Sequence, residues 1–282
     1  MTSIRCGDWI AEFRPEIGGA MSTLRLRGVE ILRSMPDQST DPLESSCFPL
    51  LPYCNRLRKG RFGWLGRQVS LPLNFIPEAN TLHGLGWKEP WNLENFLEPQ
   101  VNLNWGYPGG ETWTGAFGAQ QQVSLDEHGC TIALSAHNRG KSAIPMGLGL
   151  HPYFRRGPET SVRFDARSVI LTDHETMPTG IEAPPDHFGD FSSGSALPGE
   201  TVDHCYRSWG GSVTIEDDLG SITMTATGAP HLHVYAPADG SALCFEPVSH
   251  TPDALNRAPE EMIELEPGET ARLTMRIEAN LA

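Results

Sequence analysis

Short apolar runs recur along the chain, many alternating strictly with polar residues, as in TIALSA near position 133 and ARLTMRI near position 274. A period of two places alternate side chains on opposite faces, so these runs predict strands with one buried and one wet face. The candidates are 9–14, 21–26, 69–71, 119–125, 131–136, 162–164, 213–216, 222–226, 232–235, 243–246 and 271–277. Few windows hold a helical period. The 29 Gly and 23 Pro fall between the runs, where turns are needed. So many short strands predict an all-β chain: a large antiparallel β-sandwich occupying 1–282 as a single domain. The segment 179–200, rich in Pro, Gly and Ser, reads as a long mobile surface loop. No internal repeat or linker divides the chain.

Charge narrows the partners. A net charge of -14, from 21 basic and 35 acidic residues, repels phosphate backbones and anionic membrane surfaces. Neither nucleic acid nor membrane is expected as a partner. The opening MTSIRCGDWIAEFRPE lacks the form of a secretory leader, and no apolar stretch is long enough to span a bilayer, so a cytoplasmic location is expected. The six cysteines are dispersed without a CxxC pair, which predicts reduced, mostly core-packing thiols.

Two ionisable residues stand out. His151 in MGLGLHPYF and Glu246 in LCFEPVSHTPDALN each end an apolar run and are followed at once by Pro, which keeps the backbone extended. An acid and a base are thereby presented from strand ends. In FPLLPYCNRLRKGRF, alternation would put Arg56 and Arg58 on one face. Arg56, after an apolar stretch, is expected to point into a cleft, whereas Arg58, Lys59 and Arg61 read as surface charge. His83 in TLHGLGW lies between permissive glycines and close to Trp87 and Trp91. A neutral imidazole beside a flat aromatic suits a sugar, whose CH face stacks while its hydroxyls are hydrogen-bonded; a core histidine among core tryptophans is the plainer alternative. Asp203 in TVDHCY is either a turn former or an acceptor for hydroxyls remote from the reaction. Trp87 and Trp113 are the aromatic candidates for substrate contact, with Tyr153 and Trp209 as further lining or core residues. His231 and His233 share a strand face but have no third ligand at a recognisable spacing, so they read as core or rim histidines and no metal is expected. GxSxG, HExxH, a Walker loop and a complete GxGxxG are all missing.

Five motifs in order, CNRLRKGRF, TLHGLGW, GLGLHPYF, VDHCY and FEPVSHTPDALN, resemble those of the aldose 1-epimerase (galactose mutarotase) family and cover nearly the whole chain. The resemblance implies a β-sandwich of the galactose mutarotase-like supersandwich type and interconversion of the α and β anomers of a free sugar. By motif position it implies Glu246 as general base, His151 as general acid, and Arg56, His83 and Asp203 as the groups that hold the sugar. The chain is more compact than longer family members, and its wording around HPYF and VDHCY suggests a divergent bacterial branch, which leaves the sugar open.

The chemistry follows from the groups. Opening a cyclic hemiacetal takes a proton from the anomeric hydroxyl and delivers one to the ring oxygen, so one carboxylate and one imidazolium suffice and no cofactor is expected. This asks for a protonated His151 and an ionised Glu246, the latter favoured by Arg56 if the two are close. His83 would stay neutral and donate. The expected partner is a small monosaccharide, bound by a monomer or homodimer. A close variant acts on an anionic sugar, with Arg56 and Arg58 or another cation at its charged end. A non-catalytic sugar binder needs no matched acid and base, and a glycosidase would usually want two carboxylates.

Overall fold

The computed structural model describes residues 2–282, and their alternating runs build two large antiparallel sheets. The larger has eleven strands among the described residues. Its spatial order is Thr2–Cys6, Trp9–Arg14, Ala20–Leu26, Cys47–Leu50, Gly149–Pro152, Cys244–Val248, His231–Ala236, Val202–Arg207, Ser168–Thr172 and Pro178–Ala183, with Val29–Leu32 beside Ala20–Leu26. The second sheet runs Asn92–Leu97, Gln100–Tyr107, Phe117–Leu125, Gly129–Asn138, Thr270–Leu281, Gly220–Thr227, Ser212–Asp217, Ser161–Arg163 and Ser195–Ala196. Among the described residues, helix is confined to the turn Ala254–Arg257 and short 3-10 turns. No helix among the described residues is long and apolar enough to cross a membrane.

The inner faces of the two sheets meet in one core. Val101, Leu103, Val123, Leu134, Leu273, Met275 and Ile277 come from the second sheet, and Leu150, Val169, Tyr206, Leu232, Val234 and Phe245 from the first. Burying each such side chain contributes about 1.5–3 kcal/mol. Alternation then sends Glu246, His233 and His151 to the opposite, outer face of the larger sheet. That outer face is not left to water. A smaller cluster, including Phe48, Leu50, Trp87, Tyr153 and Cys244, packs over it. The central strands are therefore covered on both sides, with a polar patch let into the outer cover.

The segment expected to be a long surface loop carries two short edge strands. Pro178–Ala183 pairs with Ser168–Thr172, Ser195–Ala196 pairs with Ser161–Arg163, and Phe191 is buried against Phe164. Its turn residues mark corners between short edge strands. The six cysteines are free thiols, five of them buried.

Candidate functional site

Sheet register places the central residues. Glu246 lies directly opposite His233 on one side. On the other side Gly149 pairs with Val248, and running that antiparallel register on brings His151 opposite Glu246. His151 is opposite Phe48, and His233 opposite Cys205. Directly paired residues share a face, so Phe48, His151, Glu246, His233 and Cys205 form one transverse row. The next row on the same face contains Tyr153, Cys244, Tyr235 and Asp203.

The chain between 51 and 84 arches over this floor. Arg56–Leu57 pairs with Thr81–Leu82, and Leu51 bridges Gly84. Gly84 has φ +75, and a Cβ there would lie 2.2 Å from the Leu51 carbonyl oxygen, so only glycine allows the two backbones to close. This closure aims His83 inward. The Asn55 backbone N–H donates to His83 Nδ1 at 3.2 Å, which fixes the proton on Nε2. Burial, then the neighbouring cations Arg56 and His233, holds His83 well below the usual imidazole range, so it is a neutral donor.

Floor and arch enclose a cleft of about 400 Å³ lined by His151, Glu246, His83, Arg56, Asp203 and His233, with Arg33, Tyr153 and Tyr235 among its other walls. At its centre His151 Nε2 and Glu246 Oε1 are 3.3 Å apart, both side chains nearly fully buried. Burial raises Glu246 to about 8 against the opposing pull of His233 and Arg56, and burial lowers His151 to about 3. The pair therefore holds a single proton across the range between these values. Instead of the expected imidazolium and carboxylate, burial favours at rest the tautomer with the proton on Glu246 and His151 neutral. Glu246 Oε2 and His151 Nδ1 have no hydrogen-bond partner among the described residues. An unpaired buried acceptor costs about 1–3 kcal/mol, which is the pattern of a group kept for a ligand.

Beside the pair runs a charged network. His233 Nε2 donates to Asp203 Oδ1 at 2.6 Å, and Arg56 is held by Glu78 through two bonds of 2.9 and 3.0 Å and lies 3.6 Å from Asp203 Oδ2. Burial alone would depress His233, but the bond to Asp203 and that carboxylate's charge lift it to about 10 and make it a cation. Asp203 stays below its ordinary value because His233 and Arg56 outweigh its burial.

Arg56, His83, His151, Asp203 and Glu246 thus converge on one cleft, while two aromatic candidates do not line it. Trp113 has no exposed surface and packs against Tyr53 and Phe62 in the core. Trp87 is equally buried; it stacks on Phe48 and sits edge-on to His83 at 5.7 Å, so it supports that imidazole from behind. Trp209 is also core, its indole N–H donating to the Ala229 carbonyl, whereas Tyr153 does line the cleft. Arg58 departs from the expected shared face: the strand ends at Leu57, and Arg58 turns outward, 41% exposed near Asp253. His233, expected as a core or rim histidine, lines the cleft, as does Arg33, for which the sequence offers no signal. The available signal for His233 was a polar residue inside the apolar run HLHVY, but its partner Asp203 lies 30 positions away.

The aldose 1-epimerase family model matches residues 13–278. The chain belongs to the aldose 1-epimerase family. YphB of Escherichia coli K12, an uncharacterized protein, is 32% identical over 250 residues, covering 83% of this chain and 84% of YphB. A crystal structure from Escherichia coli K12, of a protein provisionally called an aldose 1-epimerase, superposes with a TM-score of 0.91 at 27% identity over 99% of this chain and 98% of that one. A galactose mutarotase-like protein from Clostridium acetobutylicum gives a TM-score of 0.86 at 17% identity, covering 99% and 95% of the two chains, a likeness of fold. In this aldose 1-epimerase family member, the five motif residues and His233 all face one cleft.

Proposed function

We propose that the chain interconverts the α and β anomers of a free monosaccharide by acid/base ring opening and reclosure. The observation that carries this reading is the buried, one-proton His151–Glu246 pair at the centre of the cleft. The anomeric hydroxyl and the ring oxygen are both bonded to C1, so groups in mutual contact reach both. Moving the shared proton from Glu246 to His151 gives the working tautomer. Glu246 then takes the proton of the C1 hydroxyl as His151 delivers its own to the ring oxygen, and the C1–O5 bond breaks to give the aldehyde. Rotation about C1–C2 presents the other carbonyl face, and the ring recloses with the two roles exchanged. Each positioned transfer contributes about 10²–10⁴-fold. His83 Nε2–H donates to a sugar oxygen, and Asp203 with Arg56 receives hydroxyls away from C1.

The electrostatics favour catalysis over mere binding. A binder has no use for a carboxyl displaced to about 8 and left with an unpaired oxygen. A glycosidase would need a second working carboxylate, yet Asp203 and Glu78 are both engaged by cations.

Two results are expected. Because loss of the pair's one proton leaves no acid, kcat/KM for mutarotation, after subtraction of the spontaneous rate, should be flat through neutrality and fall above about pH 8. Polarimetry on freshly dissolved sugar measures this, and a rate that climbs through pH 8 would contradict the shared-proton pair. Asp203→Asn removes the charge that orders His233 and Arg56. Loss of a charge-assisted hydrogen bond, roughly 1.5–3 kcal/mol, should raise KM about 10–100-fold and leave kcat nearly unchanged. Initial-rate kinetics across sugar concentration separate the two constants; a fall confined to kcat would give Asp203 a place in the chemistry instead.

A further inference from the structure

The cleft has two unlike ends. At the Asp203 end the cations are matched: Glu78 and Asp203 flank Arg56, and Asp203 also accepts from His233. At the Tyr153 end stands Arg33, half-buried, for which no carboxylate lies within ion-pair distance among the described residues. Scarcity of acids does not explain this in a chain with 35 acidic and 21 basic residues. Arg33 is instead anchored by neutral groups. Its Nε donates to the Ser45 carbonyl at 3.1 Å, Nη2 donates to the Leu43 carbonyl, and its guanidinium carbon lies 3.5 Å from the centre of the Tyr153 ring. Nη1 makes no hydrogen bond among the described residues. The charge is thus fixed in place, uncompensated, with donors to spare.

Its position relative to the reacting pair is also fixed. Tyr153 stacks on His151 at 4.6 Å and 19°, and His151 stacks on Phe48 at 4.8 Å and 23°. Arg33 thus lies over the ring that packs against His151, and its guanidinium and the imidazole line the same cleft. A pyranose with C1 at the pair presents one edge to the Asp203 network and the other toward Arg33.

We propose that Arg33 makes this cleft selective for sugars carrying an acidic substituent, an oxyanion with two or more acceptor oxygens, held on the edge opposite Asp203. Carboxylate, phosphate and sulfonate share that chemistry. A guanidinium suits them because its planar donors match paired oxygens, and charge-assisted bonds to it are about twice as strong as neutral ones. The overall charge of -14 repels such a ligand in bulk, so the local unpaired cation is what permits its entry. The proposal rests on the mutarotase reading for the placement of C1, but not for the binding of the acid group.

Locked methyl glycosides, which cannot open, separate the two. Isothermal calorimetry on the wild-type protein should show methyl glucuronide, methyl glucoside 6-phosphate or methyl sulfoquinovoside binding at least about tenfold tighter than methyl glucoside. The three arms identify the acid group. Arg33→Met, which keeps the stem over Tyr153, should erase the preference while leaving methyl glucoside affinity within about twofold, and Arg33→Lys should restore part of it. Equal binding of neutral and acidic glycosides by the wild type would overturn the proposal whatever the variants do, as would a preference that survives Arg33→Met. Acid-selective binding by a protein that accelerates no anomer exchange would leave Arg33's role standing and remove the catalytic reading instead.

Discussion

Glu246→Gln should lose about 10²–10⁴-fold of the mutarotation rate while folding as the parent does. Glutamine has the shape of glutamate, and Glu246 Oε2 has no hydrogen-bond partner whose loss would disturb the sheet. What disappears is the ability to take a proton from the C1 hydroxyl and return it. The change also has a signed effect on stability. Glu246 in the folded protein holds its proton up to about 8, above its ordinary carboxyl range. Its contribution is therefore complete below that ordinary range and is lost as pH rises through about 8. A permanently neutral glutamine escapes the loss, so Glu246→Gln should gain stability relative to wild type at alkaline pH. Polarimetry gives the rate and denaturant unfolding at neutral and alkaline pH gives the stability difference. Near-normal turnover would remove Glu246 as the base.

His151→Ala should fall by a similar factor, about 10²–10⁴-fold, through the other half of the same proton exchange. Alanine also removes a buried ring that packs against both Phe48 and Tyr153, at 4.8 and 4.6 Å, and a stability loss of a few kcal/mol comes with it. His151→Phe keeps the stacked ring without the proton, so it should match the alanine variant in rate and exceed it in stability. Because the two groups act as one unit, the double variant Glu246→Gln, His151→Phe should be scarcely slower than either single. Multiplicative losses would mean that the residues work in separate steps.

The sandwich was legible in the sequence where one face of a strand meets the core and the other meets water. The run 9–14 corresponds to the strand Trp9–Arg14, whose burial alternates along its length. Cys47–Leu50 and Gly149–Pro152 were not among the expected strands, and the reason is physical: every residue in both is buried, the core lying on one side and the Phe48–Trp87 cluster on the other, so no period of two survives. The site divides in the same way. His151 and Glu246 were visible because each ends an apolar run before a proline. His233 and Arg33 were not, since the first is defined by Asp203 on the neighbouring strand and the second by the backbone carbonyls at 43 and 45. A large aromatic reads alike in sequence whether it faces the ligand, as Trp87 and Trp113 were both expected to, or fills the core, as both do.

Exchange NMR on equilibrated sugars is the most direct measurement, because saturating one anomeric proton and watching the other reports the interconversion itself. Run over neutral aldoses and their 6-phosphate, 6-sulfonate and uronate counterparts, it should show wild-type protein transferring saturation from α to β with at least one of them and Glu246→Gln leaving the spontaneous exchange unchanged. Equal acceleration by both proteins, or none by the wild type with any of these sugars, would contradict the account.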